Sequence, residues 1–224
     1  MSNIYTPKEQ EEIFAPFSPV IGYKKLSNTF VDKMNQSMSE TLEDWSDNLV
    51  GKVKQELRFT DEINKLWGSE TGEFLLRYQN HAELYCSMNK NSLEPEKYNY
   101  SVEVTSGWFV RQFENEYNPI HVHLGSSLSC VGYLKLPEGI EQEWEKDYQD
   151  HHPSHGHIQF VHGTAATHTG SNFLVKPQVG DFYVFPAHLY HCVYPFKTSG
   201  ERRSFSVNFT IAASPREVKN ESNK

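Results

Sequence analysis

The part of the chain that follows residue 100 consists of short segments rich in Val, Phe, Tyr and Ile, separated by Gly and Pro. Such segments are typical of β-strands joined by turns. Many short strands in succession favour an antiparallel sandwich or barrel, so we predict a mainly β core of the double-stranded jelly-roll type. The segments read "YSVEVTSGWFVRQF", "SLSCVGYLKLP", "GHIQFVHG", "NFLVKP", "GDFYVFP", "HCVYPF" and "RRSFSVNFTIAA".

The first hundred residues predict helices packed on the outside of this core. Apolar residues recur at steps of three and four from residue 27 to about residue 45, and Ser27 or Asn28 can cap that helix. A second helical face runs from residue 74 to residue 88. Prolines interrupt the stretch around Phe17, which predicts an extended covering segment.

Length indicates one compact domain, in which a helical and extended part, residues 1–100, packs on a core of residues 101–212. Residues 213–224 read as a polar tail. The net charge of −8 argues against a nucleic-acid partner, which would require a basic face.

Three cysteines without a CxxC spacing form neither a disulfide framework nor a zinc–thiolate site, which favours a reducing compartment. The N-terminal residues have no signal-peptide pattern, and no apolar run approaches the roughly 18 residues of a membrane span. We therefore expect a cytoplasmic protein, in the host cytoplasm if the source is viral. A homodimer is the default expectation for its assembly.

Three histidines predict a metal site. His121 and His123 are two residues apart, so on a strand they share one face while Val122 points away. His191 from a distant strand would complete three facial ligands and leave positions open for substrate or oxygen. His188 competes with His191, although on extended chain the two face differently. The alternative is that these are ordinary hydrogen-bonded or surface histidines.

A polar strand face follows these histidines. In "RRSFSVNF", Arg202, Ser204, Ser206 and Asn208 alternate with apolar residues. A guanidinium with a hydroxyl two residues later can hold a carboxylate through charge-assisted hydrogen bonds, which predicts an anion site. The alternative is that the aromatic face packs on the core and the polar face meets water.

Together these residues resemble the HxD…His…RxS signature of the iron(II)- and 2-oxoglutarate-dependent dioxygenases. The match to the prolyl-hydroxylase-like branch, in the HxH-containing group found among phage and marine-bacterial sequences, covers residues 105–212. The resemblance implies a double-stranded β-helix of the cupin-like kind and makes His121 and His191 iron ligands. His123 stands where the family has Asp or Glu, so it is either a third imidazole ligand or a group beside a bound water.

The resemblance also implies a site for 2-oxoglutarate. Arg202 and Ser204 would hold the distal carboxylate, Tyr133 would hydrogen-bond to it, and Asn208 would line the same wall. With iron(II), O2 and 2-oxoglutarate, such enzymes form succinate and carbon dioxide while they oxidise a C–H bond, commonly as hydroxylases. The prime substrate stays open, and peptidyl proline and a small metabolite both fit.

Two rival functions fit parts of the pattern. "GDFYVFPAHLYH" nearly matches the second cupin motif, so a cupin-type metal enzyme that does not use 2-oxoglutarate is one alternative. The other is a non-enzymatic binding barrel. Residues 138–156 read as a long loop or a short helix plus loop, which could be a lid or a solvated insertion. A zinc site in this region is a further alternative to a solvated loop, formed by His151, His152, His155 and His157.

Overall fold

The computed structural model describes residues 4–5, 10–14, 19–39, 41–86, 98–146, 154–165 and 170–216. The strands in these residues, in chain order, are β1 (Ile4–Tyr5), β2 (Glu11–Phe14), β3 (Ile21–Lys25), β4 (Gln55–Arg58), β5 (Tyr98–Gln112), β6 (Asn118–His121), β7 (Leu128–Lys135), β8 (Ile158–Val161), β9 (Asn172–Val175), β10 (Asp181–Pro186), β11 (Tyr190–Val193) and β12 (Arg202–Pro215). The helices are α1 (Asn28–Ser37), α2 (Asp61–Cys86) and α3 (Ile140–Lys146), with a 3-10 turn at Ser46–Asn48.

Two sheets form the core. The larger has the order β2-β3-β10-β7-β12-β5-β4, and the smaller has the order β1-β9-β8-β11-β6. All pairings are antiparallel except that of β1 with β9. This confirms the predicted mainly β, double-stranded β-helix core. No helix among the residues described above is long and apolar enough to cross a membrane.

The two faces of the larger sheet bury different kinds of residue. On β12, Phe205 and Phe209 pack against the helices, where their rings lie 6.1 Å from Phe30 and 5.5 Å from Trp67. The other face turns toward the smaller sheet and shares an apolar cluster with it. Because β12 is covered on both sides, its polar residues lie in the barrel interior rather than in water.

Strand β7 has a glycine under an aromatic ring of the neighbouring strand β12. A Cβ atom added at Gly132 would lie 2.3 Å from the ring of Phe205. No side chain fits there without moving the ring, and the ring is fully buried.

The structure corrects several boundaries in the first hundred residues. Strands β2, β3 and β4 join the larger sheet, although this part was expected to be helix and extended chain packed outside it. Helix α1 ends at Ser37 rather than near Trp45, and α2 begins at Asp61, well before the predicted face. Strand β12 continues to Pro215, into the predicted tail. The segment around Phe17, the predicted end of the second helical face, and residues 217–224 lie outside the described residues.

Candidate functional site

The three predicted histidines converge at the end of the smaller sheet. His121 closes β6 and is the register partner of His191 on β11. His123 lies just beyond β6, and its backbone N–H donates to the carbonyl of Ala187 at 2.8 Å. The three rings can offer ligand nitrogens that all lie within 4.8 Å of one another. His188, the competing candidate, is exposed and is not in this cluster.

In two of the three rings, a hydrogen bond to a backbone carbonyl two residues earlier determines which ring nitrogen carries the proton. His121 Nδ1 donates to Pro119 O at 2.7 Å, and His191 Nδ1 donates to Leu189 O at 2.8 Å. Because a carbonyl oxygen can only accept, each Nδ1 carries the hydrogen and each Nε2 keeps its lone pair. The Nε2 atoms of His121 and His191 are therefore free to bind a cation, and the hydrogen bonds from Nδ1 to the carbonyls hold the two rings in a fixed orientation.

Burial keeps the cluster uncharged. Desolvation lowers the pKa of all three histidines, and the neighbouring imidazoles lower it further for His123 and His191. The pKa of His123 falls to about 4. The rings are therefore neutral at pH 7, which is the form that binds metal.

The spacing of the rings fits one metal ion. His123 Nε2 and His191 Nε2 are 3.2 Å apart. Two nitrogens at about 2.0–2.1 Å from a common metal would be roughly 2.8–3.4 Å apart for angles between octahedral and tetrahedral. No carboxylate of the described residues belongs to the cluster. The donor set is three imidazoles on one side, which leaves coordination positions open on the other.

A buried guanidinium lies on β12. Arg202 is 2% exposed, donates through Nη1 to Gly156 O at 2.8 Å, and lies 5.7 Å above the ring of Tyr133. Desolvation lowers its pKa, yet an arginine stays charged in a protein. No acidic side chain in the described ranges contacts it, and its Nε and the hydroxyl of Tyr133 are buried without partners. Ser204 is buried and is the register partner of Tyr133.

The carbonyl beside Arg202 is provided by the segment predicted as a loop. Within residues 138–156 the structure shows a short helix, α3, which agrees with the helix of the helix-plus-loop alternative, while residues 147–153 lie outside the described residues. Trp144 Nε1 donates to His155 O at 2.7 Å, and Glu143 accepts from the backbone N–H of Lys197 at 2.8 Å. The first of these bonds holds His155, the residue before Gly156, against α3.

The histidines of this segment form no metal cluster in the part that the structure describes. His155 Nδ1 lies 2.6 Å from Glu143, and His157 Nδ1 donates to His155 O at 2.8 Å. His151 and His152 lie outside the described residues.

Asn208 lies apart from the guanidinium with which it was grouped. Its amide nitrogen is 3.3 Å from His123 Nδ1. Asn208 is six residues further along β12 than Arg202, which corresponds to about 20 Å of extended chain. The strand therefore contacts the histidine cluster near one end and presents its guanidinium at the other.

One polar group in the barrel was missed from the sequence. Tyr183 on β10 is fully buried, and its hydroxyl has no hydrogen-bond partner among the described residues. Burial raises its pKa, as it does that of Tyr133. The alternation of Tyr183 and Phe185 in "GDFYVFP" was the available signal, since both then point inward.

A buried carboxyl lies behind the histidines. The ring of Trp108 is 5.8 Å from that of His123, and Trp108 is hydrogen-bonded to Glu56, which is 1% exposed. Desolvation and, to a smaller extent, the charge of Asp44 raise the pKa of Glu56, the bond to Trp108 lowers it, and the net result is a pKa of about 7.

Replacing Glu56 with glutamine should remove a pH-dependent loss of stability. A carboxyl whose pKa rises from 4.5 to about 7 on folding binds more protons in the native state, so the free energy of unfolding falls as pH rises across that interval. The loss is at most about 3 kcal/mol. Urea unfolding between pH 5 and pH 8 should show Glu56→Gln near wild type at pH 5 and more stable at pH 8. The exposed Glu138→Gln serves as control, and a constant difference across the pH range would contradict the expectation.

One family model and several crystal structures are similar to this chain. Residues 106–208 match a family model described as "Putative 2OG-Fe(II) oxygenase", and this range contains all the predicted site residues. The search of curated proteins found no match. One similar crystal structure is a Pseudomonas putida prolyl-4-hydroxylase, with 15% identity over 84% of this chain and 91% of that chain and a TM-score of 0.46. A second is AviO1 from Streptomyces viridochromogenes Tue57, with 11% identity over 84% of this chain and 88% of that chain and a TM-score of 0.49. A third is HygX from Streptomyces hygroscopicus with nickel and 2-oxoglutarate bound, with 11% identity over 84% of this chain and 82% of that chain and a TM-score of 0.49.

Proposed function

We propose that this chain, which carries a 2OG-Fe(II) oxygenase domain at residues 106–208, hydroxylates its substrate with iron(II) held by His121, His123 and His191. The distal carboxylate of 2-oxoglutarate would be held by Arg202, with Tyr133 and Ser204 beside it. The class of enzyme, an oxygenase that uses iron(II) and 2-oxoglutarate, is supported by the family model that matches residues 106–208. The ligand set, the hydroxylation outcome and the role of each residue go beyond that match and are equally part of the proposal.

The observation that carries the proposal is the buried charge of Arg202. A guanidinium removed from water without a counter-ion is strongly destabilising, whereas one that receives a carboxylate is compensated. Its free Nε, the Tyr133 hydroxyl and the Ser204 hydroxyl are donors to such a group. A cupin-type enzyme that used only the metal would leave this charge uncompensated, and a non-enzymatic barrel would leave the histidine cluster without a role as well.

The histidines would hold the metal at one end of the site, and Arg202 would hold the ketoacid at the other end. His121 and His191 present Nε2 lone pairs to the metal, because their Nδ1 atoms are engaged by carbonyls. Arg202 fixes one end of the extended ketoacid and so orients its other end toward the histidines. The apolar interior cluster limits the access of water to the site. When bound, iron(II) and 2-oxoglutarate supply the oxidising power: O2, 2-oxoglutarate and a C–H bond become succinate, carbon dioxide and a C–OH group.

The choice of prime substrate is left between peptidyl proline and a small metabolite. Hydroxylation is one of several outcomes that this chemistry can have. Product analysis with a candidate substrate would therefore follow the test of the class.

The test of the proposal uses the wild-type protein and needs no prime substrate. Under nitrogen, 2-oxoglutarate added to the iron(II)-loaded protein should produce the weak visible charge-transfer band of a chelated ketoacid. Under air, the same mixture should form succinate in slow, substrate-independent turnover. If neither the band nor succinate appears, while iron(II) is bound in stoichiometric amount, the proposal is wrong.

A further inference from the structure

We propose that Asn208 is a positioning residue for His123, and that its side-chain amide, rather than lining the ketoacid site, makes His123 Nε2 available as the third metal ligand. The inference rests on the proposed function, because it concerns how the chain completes that metal site. Asn208 is 8% exposed, and its amide is the one hydrogen-bond partner of His123 Nδ1 among the described residues.

His123 needs this partner because it differs from the other two histidines. His121 and His191 each donate from Nδ1 to a backbone carbonyl two residues earlier in the chain. His123 lies beyond the end of β6 and has no such carbonyl in the described ranges. Its ring is reached instead from the larger sheet, by the amide of Asn208 and by the ring of Trp108. A histidine beyond the strand end is thus oriented from across the barrel.

The amide can set either tautomer of His123. In the structure the amide nitrogen of Asn208 lies 3.3 Å from His123 Nδ1 and donates to it. The ring of His123 then carries its proton on Nε2 and donates it to His191 Nε2 at 3.2 Å. With the amide rotated by half a turn, Oδ1 accepts from Nδ1–H and the Nε2 lone pair is free. The two orientations have nearly the same shape. The first suits the metal-free cluster, and the second gives three equivalent Nε2 donors.

The backbone around Asn208 holds the amide in place. Asn208 lies in the middle of the larger sheet, paired with Ser129 on β7 and with Ser106 on β5. The register of β12 with β5 shifts between Asn208 and Phe209. Such a bulge redirects a side chain without loosening the sheet. Partners of this kind typically contribute 10- to 100-fold to metal affinity.

The experiment measures cobalt(II) affinity by spectroscopic titration of the full chain. Asn208→Leu, which has similar size and no hydrogen-bonding group, should weaken cobalt(II) binding by about 10- to 100-fold. The same change in a His123→Ala background should have no further effect. Asn208→Asp, which can only accept, should bind cobalt(II) at least as well as wild type. Thr210→Val, on the same strand, should leave the affinity unchanged.

Two results would overturn the inference. One is an equal loss from Asn208→Leu with and without His123, and the other is a loss in Asn208→Asp as large as in Asn208→Leu. The affinity for 2-oxoglutarate at saturating cobalt(II) distinguishes the two roles of Asn208. It should be unchanged in Asn208→Leu, which adds no charge, if the amide serves His123, and reduced if the amide lines the ketoacid site.

A second measurement does not depend on how the variants fold. In the wild-type protein loaded with zinc(II), nitrogen NMR of the histidine rings should show His123 protonated on Nδ1. Protonation on Nε2 would contradict the inference. If the wild-type protein binds neither cobalt(II) nor zinc(II), the proposed function itself fails. If it binds them and the Asn208 variants behave as wild type, the role of Asn208 alone is refuted.

Discussion

His191→Ala is expected to abolish stoichiometric iron(II) binding and, with it, succinate formation. His191 is 4% exposed, its Nδ1 is engaged by Leu189 O, and its Nε2 lies 3.2 Å from His123 Nε2. No other histidine among the described residues lies where it could replace this nitrogen. Loss of a mere supporting contact costs 10- to 100-fold in metal affinity, so loss of the ligand should cost more than about 100-fold.

The matched control is His188→Ala. His188 lies three residues earlier in the same segment but is exposed and outside the cluster, so its removal should leave iron(II) content unchanged. Metal analysis of protein purified without a histidine tag measures both. Retention of one iron per chain in His191→Ala, or an equal loss in His188→Ala, would place the metal elsewhere.

Sequence alone could predict those parts of the site that depend on strand periodicity. The two-residue spacing of His121 and His123 and the alternation around Arg202 each indicate a shared face. These two predictions required only that the chain be extended and that one face be buried. The expectation that Tyr133 lies beside Arg202 came instead from the family resemblance, and the two side chains do lie together.

Contacts across the barrel could not be predicted in this way. The sequence grouped Asn208 with Arg202 because both lie on one strand face, but that face is long enough to reach two different ends of the site. Arg202 donates to the carbonyl of Gly156, and the preceding residue, His155, accepts a hydrogen bond from Trp144 of α3. Strand β3 belongs to the larger sheet because it pairs with β10, which is distant in the chain. Such contacts depend on the closed fold and leave no periodic signal.

With a divalent metal bound, the histidine cluster and Arg202 would both be positively charged, which would suit a dicarboxylate such as 2-oxoglutarate. Three neutral imidazoles offer no negative charge to offset a divalent cation, and Arg202 adds a positive charge that no acidic side chain in the described ranges contacts. The site therefore has an excess of positive charge that a dianion such as 2-oxoglutarate would offset at both ends. With a carboxylate in place of His123, part of that compensation would come from the protein. We thus expect the ketoacid and the metal to bind this site cooperatively.

The second large effect is expected for Arg202→Met. Truncating one member of a buried, hydrogen-bonded charge pair costs about 2–5 kcal/mol of binding free energy. The Kd for 2-oxoglutarate of the metal-loaded protein should therefore rise by about 30-fold to more than 1,000-fold. The ligand-free variant should unfold at a temperature close to that of wild type or higher, because a buried charge without a counter-ion has been removed. Stabilisation by added 2-oxoglutarate should be lost.

Arg203→Met is the matched control for this change. Arg203 is the next residue of β12, faces the other side of the sheet, and pairs with Glu201 at 2.8 Å. Its removal should lower the unfolding temperature, because Glu201 loses a partner, and should leave the Kd for 2-oxoglutarate unchanged. Calorimetric titration under nitrogen gives the Kd values, and thermal unfolding with and without 2-oxoglutarate gives the stabilisation. If Arg202→Met binds 2-oxoglutarate as tightly as wild type, the buried guanidinium is not the carboxylate site. A ketoacid, if bound at all, would then be held elsewhere in the barrel, where the unpartnered hydroxyl of Tyr183 is the next donor to replace.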